Sequence, residues 1–139
     1  MKFTRKAKAN WKGGGKEGKG TLTTASNVLN NTPYSFHTRF EDAAGTNPEE
    51  LIGAAHAGCF AMQLSFLLGE ESFTPNSLDV SATVTFEDGS ITLIVLDLEG
   101  NIPNIEEDEF ERIATKAKEV CPISKLLDTE IELNITLTK

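Results

Sequence analysis

Asn47-Pro48-Glu49-Glu50-Leu51-Ile52-Gly53-Ala54-Ala55-His56-Ala57-Gly58-Cys59-Phe60 reads as the opening of a helix, and the rest of the chain arranges itself around that reading. Asn47 belongs to the residue types that cap helices, because its side-chain oxygen can take an orphan backbone N–H. Pro48 suits the first turn, where no amide donor is needed. Glu50 stands at the third helical position, as a capping box requires. Apolar residues continue through Met62, Leu64, Phe66, Leu67 and Leu68. With Leu51, Ile52, Ala54, Ala55, Cys59 and Phe60 they go nearly all the way round. A helix of that kind is buried on most sides. Gly69 is the expected stop. At about 22 residues and 1.5 Å of rise each, the helix spans roughly 30 Å, more than the sheet of one small protomer covers comfortably. A second copy of the chain, in a homodimer, is the expected cover.

On the N-terminal side, residues 2–11 and 19–27 alternate loosely and are expected to be strands, with Gly13-Gly14-Gly15 a mobile turn between them. Tyr34-Ser35-Phe36-His37-Thr38-Arg39-Phe40 puts Tyr34, Phe36 and Phe40 on one face, which predicts a third strand. A loop from Glu41 to Gly45 follows. Beyond the helix, Ser81 to Glu87 and Ser90 to Leu96 flank Asp88-Gly89, a two-residue hairpin turn that needs positive φ angles. Asn104, with Glu107 three residues on, is expected to open a second helix whose stripe is Phe110, Ile113, Ala114, Ala117 and Val120. Cys121-Pro122 restarts the chain as a short helix through Leu127, and Ile131, Leu133, Ile135 and Leu137 alternate in a last strand. This order predicts an α+β fold, an antiparallel sheet with a long buried central helix, as one domain over residues 1–139.

Composition sets the outer limits. A chain of 139 residues, 39% hydrophobic and 24% charged, can bury a substantial core without staples. No apolar run is expected to reach the length of a membrane span, and no signal-peptide core follows Met1-Lys2-Phe3-Thr4-Arg5, so a cytoplasmic protein without membrane contact is expected. Residues 1–19 carry a net +6 and the remainder −14. A basic arm on an acidic body can touch an anionic surface, but lysines on solvated strand edges serve equally to discourage edge pairing. Without basic and aromatic residues interleaved beyond Trp11, no nucleic-acid partner is expected.

The chain has two cysteines, Cys59 deep in the apolar helix and Cys121 before a proline. In a reducing compartment structural disulfides are rare, so a pair leans toward redox chemistry. Peroxide reduction needs a thiolate that attacks the O–O bond and a second thiol that condenses with the resulting sulfenic acid. Cys121, at a helix start, lies where the helix dipole lowers a thiol pKa. Cys59 in an apolar helix should have its pKa raised unless a cation is near; Arg39, on the strand before the helix, is the isolated candidate. Two inert buried thiols are the plain alternative. A zinc site from Cys59, Cys121, His56 and His37 lacks tight ligand spacing. His56 shares a helix face with Cys59 and could activate it, although such a histidine more often packs or bonds to a neighbour. Glu49 lies ten residues before Cys59, about 15 Å along one helix. To serve the same site it must come from the other subunit; otherwise it simply favours the positive end of the helix dipole.

Arg39-Phe40-Glu41, Gly45-Thr46-Asn47-Pro48-Glu49-Glu50-Leu51 and Ala54-Ala55-His56-Ala57-Gly58-Cys59-Phe60 closely resemble the OsmC and organic hydroperoxide resistance family, on the OsmC branch. The likeness continues through Trp11, Gly18-Lys19-Gly20, Thr74-Pro75 and Ala117-Lys118 to Cys121-Pro122-Ile123-Ser124. It implies a thiol-dependent peroxidase acting on organic hydroperoxides and, less well, hydrogen peroxide, built as an intertwined homodimer. By that resemblance Cys59 is the peroxidatic thiol and Cys121 the resolving one, Arg39 holds the Cys59 thiolate, and Glu49 orients Arg39 through a salt bridge. No cofactor is implied; the reductant is an external dithiol, of lipoyl type in relatives. Gly58 stands where alanine is usual, and the Asp88-Gly89 hairpin is short. A cysteine redox sensor and a small hydrophobic-ligand binding protein are the alternatives from other classes.

Overall fold

A computed structural model describes residues 1–138. They form two compact units, the first Met1–Leu51 and the second beginning at Ile52. In the first unit β1 (Ala7–Lys12), β2 (Lys19–Thr24) and β3 (Thr32–Tyr34) make an antiparallel sheet in that order. Gly20 pairs with Trp11 on one side and Tyr34 on the other, and the two rings lie 5.4 Å apart. A Cβ at Gly20 would run into both rings, so the close approach calls for glycine there. The turn between β1 and β2 is closed by the Gly18 N–H on the Gly14 carbonyl (2.7 Å) and by the Trp11 indole N–H on the Gly13 carbonyl (3.1 Å).

The strand predicted over Tyr34 to Phe40 stops at Tyr34, and the chain turns into a one-turn helix, α1 (Phe36–Phe40). Ser35 decides the matter. Its hydroxyl accepts the Thr38 N–H (3.2 Å) while the Thr38 hydroxyl accepts the Ser35 N–H (2.9 Å), a reciprocal capping box that closes the turn. Phe36 and Phe40, four apart, then meet at a tilt, with centroids 5.1 Å apart. Arg39 therefore sits on a helix and not on a strand.

The long helix α2 (Pro48–Glu70) starts as expected, with the Glu50 N–H on Asn47 Oδ1 at 2.8 Å. The reciprocal half of the box is absent; Glu50 takes the Thr46 hydroxyl instead (2.8 Å). Only one stripe of α2 is buried in the single chain, namely Gly53, His56, Phe60, Leu64 and Leu68. Met62 and Phe66 stay 64% and 65% exposed, so one chain alone does not bury the helix on most sides. Contrary to the sequence reading, α2 is also long and apolar enough to cross a membrane by length and composition. Its buried stripe nevertheless belongs to a protein core, built with Ile94, Leu96 and Leu98 of the next sheet.

That sheet runs β4 (Ser77–Glu87), β5 (Ser90–Asn101), β6 (Glu130–Thr138). Asp88 and Gly89 turn the first hairpin at φ 50° and 85°, the two positive values a tight primed turn needs. β6 pairs parallel to β5, so the sheet is not wholly antiparallel. A parallel neighbour requires a long crossover, and α3 (Glu107–Val120) with α4 (Pro122–Leu126) provides it. Asn104 does not cap α3. It takes a left-handed φ of 68° in the preceding turn, and Glu106 occupies the cap position without a side-chain bond. Glu107, Asp108 and Glu109 instead place negative charge at the positive end of the helix dipole. Phe110, Ile113, Ala114 and Ala117 of α3 complete the core.

Candidate active site

The end of α3 brings the second cysteine to its place. Cys121 closes α3 through its N–H on the Ala117 carbonyl (3.0 Å), and Pro122 lacks the amide needed to continue. The chain restarts as α4, whose Lys125 N–H returns to the Cys121 carbonyl (3.0 Å). Cys121 is thus the joint between two helices, at φ −56° and ψ 124°, and is fully buried. Cys59, on the middle of α2, is half-buried. The two sulfurs lie 2.8 Å apart and both thiols are free. Loss of hydration pushes the Cys59 thiol above its ordinary range, and its contact with Cys121 pushes the same way. The backbone N–H of Ile123 acts in the opposite sense by bonding to the sulfur.

His56, one turn before Cys59, is fully buried. Its Nε2 lies 2.8 Å from Ser124 Oγ, which makes it the neighbour-bonded histidine the sequence favoured. Burial lowers its pKa and keeps it neutral near pH 7, and its Nδ1 has no hydrogen-bond partner among the described residues. Sequence reasoning missed Ser124 as a partner and the Ile123 amide as a donor. For Ser124 a signal existed: His56 and Cys59 are three residues apart, and so are Cys121 and Ser124.

In the first unit Arg39 and Glu49 form a two-pronged ion pair, Nε to Oε1 and Nη2 to Oε2, both 2.9 Å. The bond to Glu49 is the largest reason why the Arg39 pKa is raised. Arg39 also borders a groove of about 510 Å³ lined by Trp11, Lys16, Tyr34, Phe36 and Phe40. The four residues singled out from sequence therefore fall into two pairs, Arg39 with Glu49 and Cys59 with Cys121. His37 bonds Glu41 at 2.7 Å, and among the described residues no three His, Cys, Asp or Glu side chains gather to hold a metal ion.

The family model described as OsmC-like protein matches residues 41–136. The chain belongs to the OsmC-like family. Peroxiredoxin OsmC of Escherichia coli (strain K12) is 50% identical over 141 residues, covering 99% of each chain. An organic hydroperoxide resistance protein of Xanthomonas axonopodis pv. citri (strain 306) is 28% identical over 129 residues, with 89% of this chain and 88% of the relative covered. Among solved structures, the organic hydroperoxide resistance protein OhrB of Bacillus subtilis is 25% identical with a TM-score of 0.70, covering 98% of each chain. The fold of this OsmC-like chain is thus that of its relatives along nearly its whole length.

Proposed function

We infer that this OsmC-like chain is a thiol-dependent peroxidase that reduces organic hydroperoxides and, less well, hydrogen peroxide. The sulfur contact between Cys59 and Cys121, in a chain half identical to a named peroxiredoxin, carries the reading. The Cys59 thiolate attacks the outer oxygen of the hydroperoxide and the O–O bond breaks. The alkoxide leaves and takes a proton as alcohol, and Cys59 becomes a sulfenic acid, oxidised by two electrons. The Cys121 sulfur then attacks Cys59, the S–S bond forms, the S–O bond breaks, and hydroxide leaves with a proton as water. An external dithiol of lipoyl type returns both thiols by exchange and is itself oxidised. No prosthetic group enters the cycle.

The Cys59 thiolate needs a counter-charge, because burial disfavours it. Arg39, aligned by Glu49, is the group we assign to that task, and the groove beside it would take the organic part of the substrate. Ten residues of α2 separate Glu49 from Cys59, about 15 Å along the axis. We therefore assign the Arg39–Glu49 pair to the Cys59 of a second copy, so that a homodimer carries two shared sites and the whole chain acts as one peroxidase domain. A pair of free thiols that cycles with a dithiol suits a reducing compartment such as the cytoplasm.

Stopped-flow oxidation with cumene hydroperoxide beside hydrogen peroxide tests the reading. Cys59→Ser is expected to abolish peroxide reduction. Cys121→Ser should allow one turnover and then stall or over-oxidise, as mass spectrometry of the treated protein would record. Equal residual turnover in the two variants would sink this assignment of roles.

A further inference from the structure

The peroxidase cycle leaves two side chains of the second unit without a task, His56 and Ser124. They meet one helical turn away from the cysteines on both segments: His56 three residues before Cys59 on α2, Ser124 three residues after Cys121 on α4. The two contacts have the same length, 2.8 Å between the sulfurs and 2.8 Å between Nε2 and Oγ. We propose that His56 and Ser124 form a latch that holds α4 in register on α2 and so sets how fast Cys121 captures the Cys59 sulfenic acid.

The short helix that follows Cys121 has little else to hold it. α4 has five residues, no fully buried side chain and no side-chain cap at its start. A helix that short is not stable by itself. Only Ile123 and Leu127, partly buried, tie it to the core cluster. While the thiols are reduced, the polar ties to α2 are the sulfur contact, the Ile123 N–H on the Cys59 sulfur, and the latch. When Cys59 is oxidised an oxygen atom is added to its sulfur, and the contact seen between the two thiols cannot persist unchanged. The latch is then the polar tie that does not pass through the oxidised sulfur, and it keeps Cys121 within reach for the S–S bond to form as the S–O bond breaks. Alignment of two reacting groups in one molecule is a large kinetic term. His56 suits a latch because it is neutral and buried. With its proton on Nε2, donated to Ser124, the ring leaves an unpaired acceptor at Nδ1 and not an unpaired donor. His56 is thus a positioning residue for the resolving step; it acts through Ser124 and not on the peroxide.

This inference rests on the peroxidase reading above, and the experiment separates the two. Rapid-mixing traces with cumene hydroperoxide give the rate of attack on Cys59 and the rate of disulfide formation, and intact mass gives the share of sulfinic acid. In Ser124→Ala the attack should stay within about twofold of the parent, while disulfide formation falls about fivefold, as loss of one hydrogen bond implies. The sulfinic share should rise in step. Ser124→Thr, which keeps the hydroxyl, should restore the partition, and His56→Gln, whose amide can still reach that hydroxyl, should lie near the parent. Should His56→Gln fail to fold, the two Ser124 variants alone decide. An unchanged partition in Ser124→Ala, or a Ser124→Thr no better than alanine, overturns the latch while leaving the peroxidase intact. A parent protein that forms no disulfide at all would overturn the peroxidase reading and the latch with it.

Discussion

Arg39 keeps 36% of its side chain exposed while Glu49 keeps 15%. An ion pair that open is screened by water and contributes little to stability, about 1 kcal/mol at most. Arg39→Ala is therefore expected to shift unfolding by no more than that. Its larger effect should fall on Cys59, whose thiol burial already pushes up and which would rise further if Arg39 of a second copy supplies its counter-charge. Alkylation of Cys59 against pH measures this, and an unmoved profile would place the counter-charge on another group. His56 makes the second residue-level prediction. Burial lowers its pKa below the unfolded value of about 6.5. The neutral ring is favoured in the fold, so its contribution is fully present above that value and is lost as pH falls through it toward the lower folded pKa. Urea unfolding at pH 7.5 and 5.5 should show a steeper loss for the parent than for His56→Gln; parallel slopes would contradict the assignment. The cysteines were readable because each stands in a setting that asks for explanation, one in an apolar helix and one before proline. Ser124 was harder to read, since a serine near a helix start has ordinary reasons to be there, and its matched spacing gains meaning only from the contact with a residue 68 positions away.

At the level of elements, Asn47 joins two of them. Its Oδ1 caps α2, and its Nδ2 donates to the Thr38 carbonyl of α1 at 3.2 Å. Asn47→Ala should cost about 1–2 kcal/mol. Asn47→Asp keeps the cap and loses only the tie to α1, so it should cost less. Thermal unfolding of the two variants distinguishes them, and equal losses would mean that the cap contributes nothing. The cap of α2, the Asp88-Gly89 turn and the alternation of β6 could all be read from sequence, because each rests on neighbours within a few residues. Tyr34 to Phe40 could not. Three apolar positions fit a strand at 34 and 36 and a helix at 36 and 40, and the Ser35–Thr38 box broke the tie. The parallel direction of β6 was also hidden, since alternation shows which face is buried and not which neighbour the strand joins.

For the molecule as a whole, the apolar residues left open on α2, with Met62 and Phe66 about two-thirds exposed, are what a second copy would cover. An obligate interface of that kind buries more than roughly 2,000 Å² in total and forms with two-fold symmetry. Mixing an inactive Glu49→Ala chain with an inactive Cys59→Ser chain and refolding them together should return a fraction of the activity. Each mixed dimer then holds one site with an intact Cys59 opposite an intact Glu49. Mixed dimers without activity, or active monomers in sedimentation, would show that the sites are not shared. The placement of Cys121 62 residues after Cys59, with β6 later still, also bears on how the protein is born. A ribosome adds about 5–20 residues each second, so Cys59 emerges roughly 3 to 12 seconds before Cys121. Over that interval β4, β5 and α3, which pack on its helix, are still being added, and β6 has yet to be made. A peroxidase built this way is most open to the oxidant it removes while it is being translated. Under a burst of peroxide the chains lost to over-oxidation would be the newest ones.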